Sequence, residues 1–288
     1  MFPGVYAAAA TPFRGDGEID LDAFSAHCRW MVDSGVAGVV PNGSLGEYET
    51  MTDAERAAVV GAAVDGAGAD RVVPGVSGKS AREARSWAER AAEAGVSAVM
   101  CLPPTSHAPT DDEVIAHFTE VGKAGLPIIA YNNPYSTRVD LAPELLGRIA
   151  DNAPMVVAVK EFSQDVRRVA RIKESAPHIE IICGCDDVFV ESMLMGATGW
   201  IAGFVNAFPA ESVRLYDLCV AQKWPDAVEL YRRMLPLLRF DAQPNFVQAV
   251  KLAQDEVGRY GGPVRLPRLP LPAAAAEAVR RAVRQVTA

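Results

Sequence analysis

Lys160 closes the apolar run Met155-Val156-Val157-Ala158-Val159, and of the six lysines it alone directly follows five apolar residues. Such a run reads as a buried strand, and burial disfavours the ammonium form of an amine at its exit. A neutral amine there is a candidate nucleophile toward carbonyl carbon, forming a Schiff base. The competing reading is a strand-end lysine that snorkels to water along its own methylenes. Two further segments carry chemistry that suits such an amine. Pro41-Asn42-Gly43-Ser44-Leu45-Gly46-Glu47 combines two glycines with a hydroxyl, a tight turn whose backbone N–H groups can face a carboxylate or oxyanion. Tyr131, in Tyr131-Asn132-Asn133-Pro134, offers a phenol that could relay protons. Each of these alone also reads as an ordinary turn or a packing residue. Their joint placement is what carries weight.

The elements around them repeat strand, loop, helix. Apolar β-type runs lie at 5–9, 36–40, 71–76, 98–102, 127–131, 155–160, 179–183 and 199–204, each followed by an amphipathic stretch. Asp20, Thr52, Ser80, Thr110 and Ser163 are candidate helix N-caps, and Gly35, Gly95, Gly125 and Gly196 candidate C-terminal stops. Near-continuous apolar strands alternating with helices imply a parallel sheet covered by helices. Eight such units imply a (β/α)8 TIM barrel, with sites at the C-terminal strand ends. An open doubly wound sheet is the alternative, but its Gly-x-Gly-x-x-Gly fingerprint is missing after the first strand. Residues 1–222 are therefore expected to form the α/β barrel. Residues 223–288 read as a C-terminal helical extension of three helices, near 226–238, 245–260 and 273–286, with a Pro-rich connection before the last.

Composition bounds the function. With 288 residues, 50% of them hydrophobic, the chain can bury a large core. A net charge of −8 provides no basic stripe for nucleic acid or an anionic membrane. No stretch has the length of a membrane span, and Met1-Phe2-Pro3-Gly4 lacks the features of a signal peptide. Five scattered cysteines suggest reduced thiols, so a cytoplasmic location is expected. Gly78-Lys79-Ser80 is not a phosphate loop, because Val73 stands where that loop needs glycine. Cys183-x-Cys185 has no second pair and the four histidines are dispersed, so neither a metal nor another cofactor is expected. Gly75-Val76-Ser77-Gly78 has the wrong spacing for a serine hydrolase elbow.

Thr11-Pro12-Phe13, Gly43-Ser44-Leu45-Gly46-Glu47, Tyr131-Asn132-x-Pro134, Val159-Lys160-Glu161 and Gly184-Cys185-Asp186-Asp187 occur in that order. Together they resemble the dihydrodipicolinate synthase / N-acetylneuraminate lyase family over essentially the whole chain. The resemblance implies a barrel, usually a homo-oligomer (tetramer or dimer), doing class I aldolase-type chemistry on 2-oxo acids. It implies Lys160 as the Schiff-base lysine and Tyr131 as a proton relay assisted by Ser44. Gly43, Ser44 and Leu45 would hold the substrate carboxylate, and Cys185 and Ile201 would line the pocket. Three departures stand out. Leu45 replaces a threonine of the family's turn. The loop 103–109 carries His107 and no tyrosine. Ser136 stands where the synthases have an arginine, the nearest one being Arg138. These departures favour elimination by a dehydratase or deaminase, such as 1-pyrroline-4-hydroxy-2-carboxylate deaminase. The synthase, a sugar-acid aldolase or dehydratase, and a non-catalytic 2-oxo-acid-binding homologue are the alternatives.

Overall fold

The computed structural model describes residues 2–288. Seven parallel strands form one sheet: β1 (Gly4–Ala8), β2 (Gly38–Val40), β3 (Val99–Cys101), β4 (Ile128–Asn132), β5 (Val156–Glu161), β6 (Glu180–Cys183) and β7 (Gly199–Ala202). Their spatial order is β2-β1-β7-β6-β5-β4-β3. The eighth expected strand, at 71–76, is present only as two isolated bridges, Val72 to Val39 and Gly75 to Met100. Those bridges still close the ring. Val73 N–H donates to Val39 O at 2.9 Å, and Met100 N–H donates to Pro74 O at 3.0 Å. The ladder is broken because Pro74 has no N–H to give. Gly75 must also be bare, since an added Cβ would lie 2.2 Å from the Asn42 carbonyl oxygen. The fold is a (β/α)8 barrel with its third strand reduced.

The helices between strands start where side chains satisfy their free N–H groups. Asp20 accepts from Ala23 N–H, Ser80 from Glu83 N–H, and Thr52 and Thr110 each form a reciprocal capping box with a Glu three residues on. Gly35, Gly95, Gly125 and Gly196 end helices with φ of 97°, 79°, 81° and 104°. Ser163 does not cap as expected. The following helix begins only at Arg167, with no side-chain cap, and Ser163 Oγ accepts from Asp165 N–H instead. Among the described residues no helix is long and apolar enough to cross a membrane.

The three C-terminal helices are Trp224–Leu238, Phe246–Glu256 and Ala273–Thr287. Their apolar faces, including Met234, Leu237, Val250 and Val283, belong to the same contiguous core as the strands. A buried ion pair fastens them to the barrel rim: Lys251 Nζ lies 2.8 Å from Glu47 Oε1, with the two side chains 2% and 0% exposed. Lys251 also donates to Pro263 O at 2.8 Å and sits 4.4 Å from the centre of the Phe13 ring. Arg265 N–H donates to the other Glu47 oxygen at 3.0 Å. Removing one partner leaves a buried charge exposed to its full desolvation cost. Lys251→Met is expected to lower the unfolding free energy by about 3 kcal/mol, and adding Glu47→Gln to recover part of it. Urea unfolding of the single and double variants checks this; equal losses would remove the ion pair as the fastening.

Candidate active site

A cavity of about 460 Å³ opens at the C-terminal ends of the strands, and Lys160 lies in its wall. Strand register explains the placement. On adjacent β4 and β5, Tyr131 pairs with Lys160, and Lys160 in turn pairs with Ile182 of β6. Tyr131 and Lys160 therefore leave neighbouring strands at one level. Lys160 Nζ sits 4.5 Å from the centre of the Tyr131 ring, and Lys160 is only 5% exposed. The next strand end makes room for it. A Cβ on Gly184 would lie 2.9 Å from both Lys160 Cγ and Cε, so only glycine leaves the amine its path.

The turn after β2 supplies donors. Gly43–Gly46 is one tight turn in which Gly46 N–H bonds Gly43 O and Glu47 N–H bonds Ser44 O. The N–H groups of Ser44 and Leu45 head this turn, where no intrahelical acceptor exists, and both residues line the cavity. Glu47, held by Lys251 and Arg265, adopts φ 59° at the end of the turn and so fixes its geometry from behind.

Of the remaining sequence candidates, Ile201 of β7 and Ser136 line the cavity. The Tyr131 hydroxyl accepts from Asn133 Nδ2 at 3.0 Å, and no hydrogen bond joins it to Ser44. Three candidates lie elsewhere. Cys185 is buried and its thiol turns to Asp187 Oδ1 at 3.1 Å, while its neighbour Gly184 forms the wall. Arg138 is exposed, in a left-handed residue that ends the short helix Pro134–Thr137, and does not reach the cavity. His107 stands on an exposed loop with Nε2 3.7 Å from Glu113 and also lies outside it.

The structure adds residues that the sequence reading left out. Asp241 and Gln243, from the link between the first two C-terminal helices, and Phe246, which opens the second of them, close one side of the cavity, and Gln164 borders another. Asp241 is the important one. It is 6% exposed, and behind it lies Asp186, fully buried. Asp186 is well satisfied: Trp200 Nε1 donates to Oδ1 at 3.0 Å, Phe204 N–H to Oδ2 at 3.0 Å, and Gly203 N–H to both oxygens. Asp241 has one protein donor among the described residues, the Asp186 N–H at 3.3 Å. No sequence pattern flagged Asp241, because Phe240-Asp241-Ala242-Gln243-Pro244 reads as a polar link between helices.

Amine and carboxyls shift each other. Burial lowers the Lys160 pKa below its usual value, with Asp241 and Asp186 opposing that shift. Burial likewise lifts Asp241 well above the carboxylate range, reinforced by the charge of Asp186. Asp186 is lifted to about 7 by burial against the pull of its N–H donors. Burial keeps Tyr131 a phenol and raises the Cys183 thiol to about 12. The site thus holds an amine inclined to lose its proton beside a carboxylate inclined to take one. Apart from tyrosine hydroxyls, Lys160 and Asp241 are the only ionisable side chains in the cavity wall among the described residues.

Comparison with known proteins identifies the family and the fold. Residues 1–286 match the model of the Dihydrodipicolinate synthetase family. A 4-hydroxy-tetrahydrodipicolinate synthase of Exiguobacterium sp. is 33% identical over 289 residues, covering 99% of this chain and 98% of that one. One from Methanothrix thermoacetophila is 32% identical, covering 94% and 92%. Among solved structures, the dihydrodipicolinate synthase of Aquifex aeolicus superposes with a TM-score of 0.93 at 26% identity, covering 99% and 98% of the two chains. The prophage protein YagE of E. coli K12, solved in complex with pyruvate, gives a TM-score of 0.92 at 26% identity, covering 100% and 99%. The chain belongs to the dihydrodipicolinate synthetase family and is a lyase of the class I aldolase type.

Proposed function

We propose that Lys160 forms a Schiff base with a small 2-oxo acid or cyclic imino acid and that the site then catalyses elimination. The observation that carries this is the buried Lys160 amine beside Tyr131, facing the unbonded N–H groups of the Ser44–Leu45 turn across one cavity. The neutral amine attacks C2. Tyr131, with Ser44 in the same wall, moves the proton that turns the carbinolamine oxygen into a leaving water. The turn N–H groups hold the substrate carboxylate, a task that then needs no arginine. The iminium draws electrons from C3, and the resulting enamine expels a group from C4.

Elimination is preferred to aldol condensation because of what the wall lacks. A partner bearing its own carboxylate would meet no cation there besides Lys160, among the described residues. A hydroxylated substrate with a single carboxylate fits, and 4-hydroxy-1-pyrroline-2-carboxylate, losing water and ammonia, is the reading favoured. The synthase reading is supported by the relatives above that carry that name. A sugar-acid lyase shares the first steps. A non-catalytic binder would have little use for both Lys160 and Tyr131.

Incubation with pyruvate followed by borohydride should leave one reduced adduct per chain, absent in Lys160→Ala. An adduct that survives that substitution, or none with pyruvate and larger 2-oxo acids alike, would sink the Schiff-base assignment. Because burial lowers the Lys160 pKa, the trapping rate should rise with pH to a plateau, with its midpoint below the ordinary lysine value of 10.5. Tyr131→Phe should slow turnover by about 10²–10⁴-fold. Ammonia release from 4-hydroxy-1-pyrroline-2-carboxylate separates the branches. None above background, together with condensation of pyruvate and an aldehyde, selects the synthase.

A further inference from the structure

Any Schiff-base route needs a group that removes a proton from C3, and the wall of this cavity offers one carboxylate for it. Tyr131 is kept as a phenol by burial and accepts from Asn133. Ser44 is an alcohol with no adjacent base hydrogen-bonded to it. Asp186 has both oxygens occupied by N–H donors and lies outside the wall. Glu47 is committed to Lys251. Asp241 is different. It lines the cavity with Lys160, one oxygen accepts a single long bond from Asp186 N–H, and the other has no protein donor among the described residues. The backbone is shaped around that free oxygen, since a Cβ on Gly203 would lie 2.6 Å from Asp241 Oδ1.

We propose that Asp241 is the proton carrier of the site, taking the C3 proton of the Lys160-bound iminium and returning it to the hydroxyl that leaves C4. This rests on the Schiff-base reading above and narrows the substrate class to 4-hydroxy-2-oxo acids and the cyclic imines equivalent to them. The C3–H bond breaks, its electrons form C2=C3, and the iminium nitrogen regains its lone pair while Asp241 becomes protonated. The enamine then forms C3=C4 as the C4–O bond breaks, and the Asp241 proton completes the departing water. The iminium is restored, and a second water hydrolyses it at C2 to free Lys160. No oxidant or outside acid enters. The raised affinity of Asp241 for a proton suits a base that must hold one between two steps. Asp241, protonated beside the free amine, gives up that proton as the carbinolamine oxygen leaves as water, so it meets the iminium cation as a carboxylate.

Pyruvate isolates the first half, because it carries no leaving group and stops at the enamine. In deuterium oxide the wild-type protein should exchange the methyl protons of pyruvate, followed by NMR. Asp241→Asn preserves shape and imitates the uncharged carboxyl beside the free amine, so the borohydride adduct should form as in wild type. Exchange should fall by about 100-fold or more. An adduct with exchange kept within about tenfold of wild type overturns the proposal. Absence of an adduct in the wild type would instead strike at the Schiff-base reading, so the two failures are distinct. If Asp241→Asn forms no adduct, Asp241→Ala with added formate decides. Formate is expected to restore exchange, as an external carboxylate can replace a base but not a packing contact. Exchange indifferent to formate overturns the proposal. For the second half, a 4-fluoro analogue needs no proton to leave, so in wild type and Asp241→Asn its elimination should differ less than that of the 4-hydroxy substrate. Equal losses for the two leaving groups overturn the C4 step.

Discussion

Burial makes charge costly at Lys160 and Asp241 alike, and that shared desolvation is the constraint on which the rest of the site depends. Burying an ammonium and an unpartnered carboxylate together costs both desolvation penalties, and only close geometry repays them. Here Asp241 lacks the donors that would fix its charge, whereas Asp186 behind it has three. The neutral form of the Lys160–Asp241 pair is therefore favoured at the cavity wall, while N–H donors draw charge to Asp186 one layer deeper. The directions of the Lys160 and Asp241 shifts agree with this division.

Everything else keeps those groups largely out of water and on one cavity wall. Parallel register sets Tyr131 and Lys160 side by side, and bare glycines at 184 and 203 leave space for Lys160 and Asp241. The C-terminal helices form more than a covering layer, because they bring Asp241, Gln243 and Phe246 to the cavity. They also clamp the donor turn through Lys251 and Glu47. The donor turn and the Asp241 carboxyl are thus tied to the same helical pair. Loosening that pair would disturb both ends of the site at once.

The sequence disclosed what depends on local pattern. Apolar periodicity placed the helices and seven of eight strands, since strand burial and helix amphipathicity are written in consecutive residues. The third strand was overestimated because Pro74 and Gly75 interrupt a ladder that the apolar run alone suggests. Lys160, Tyr131 and the Gly43–Leu45 turn were visible as unusual chemistry at strand ends. Cys185 was misplaced by one residue, as the chain leaving β6 turns Gly184 toward the cavity. Asp241 was missed for a deeper reason. Its significance comes from a contact between the C-terminal helices and the barrel, and nothing in a polar interhelical link announces which way it faces.

Family membership and substrate are written in different parts of this molecule. The barrel is what the chain shares with its relatives, and on the proposed reading the amine and its phenol neighbour set the first step, attack on C2. The second step depends on the rest of the wall, where the chain carries an unengaged carboxyl and no arginine. A cation in that position would hold a second anionic substrate ready for condensation. On the proposed reading a carboxyl there offers such a partner no hold and serves a substrate that must lose a proton and a hydroxyl from adjacent carbons. On that reading the group beside the enamine separates condensation from elimination, and in this cavity that group is Asp241.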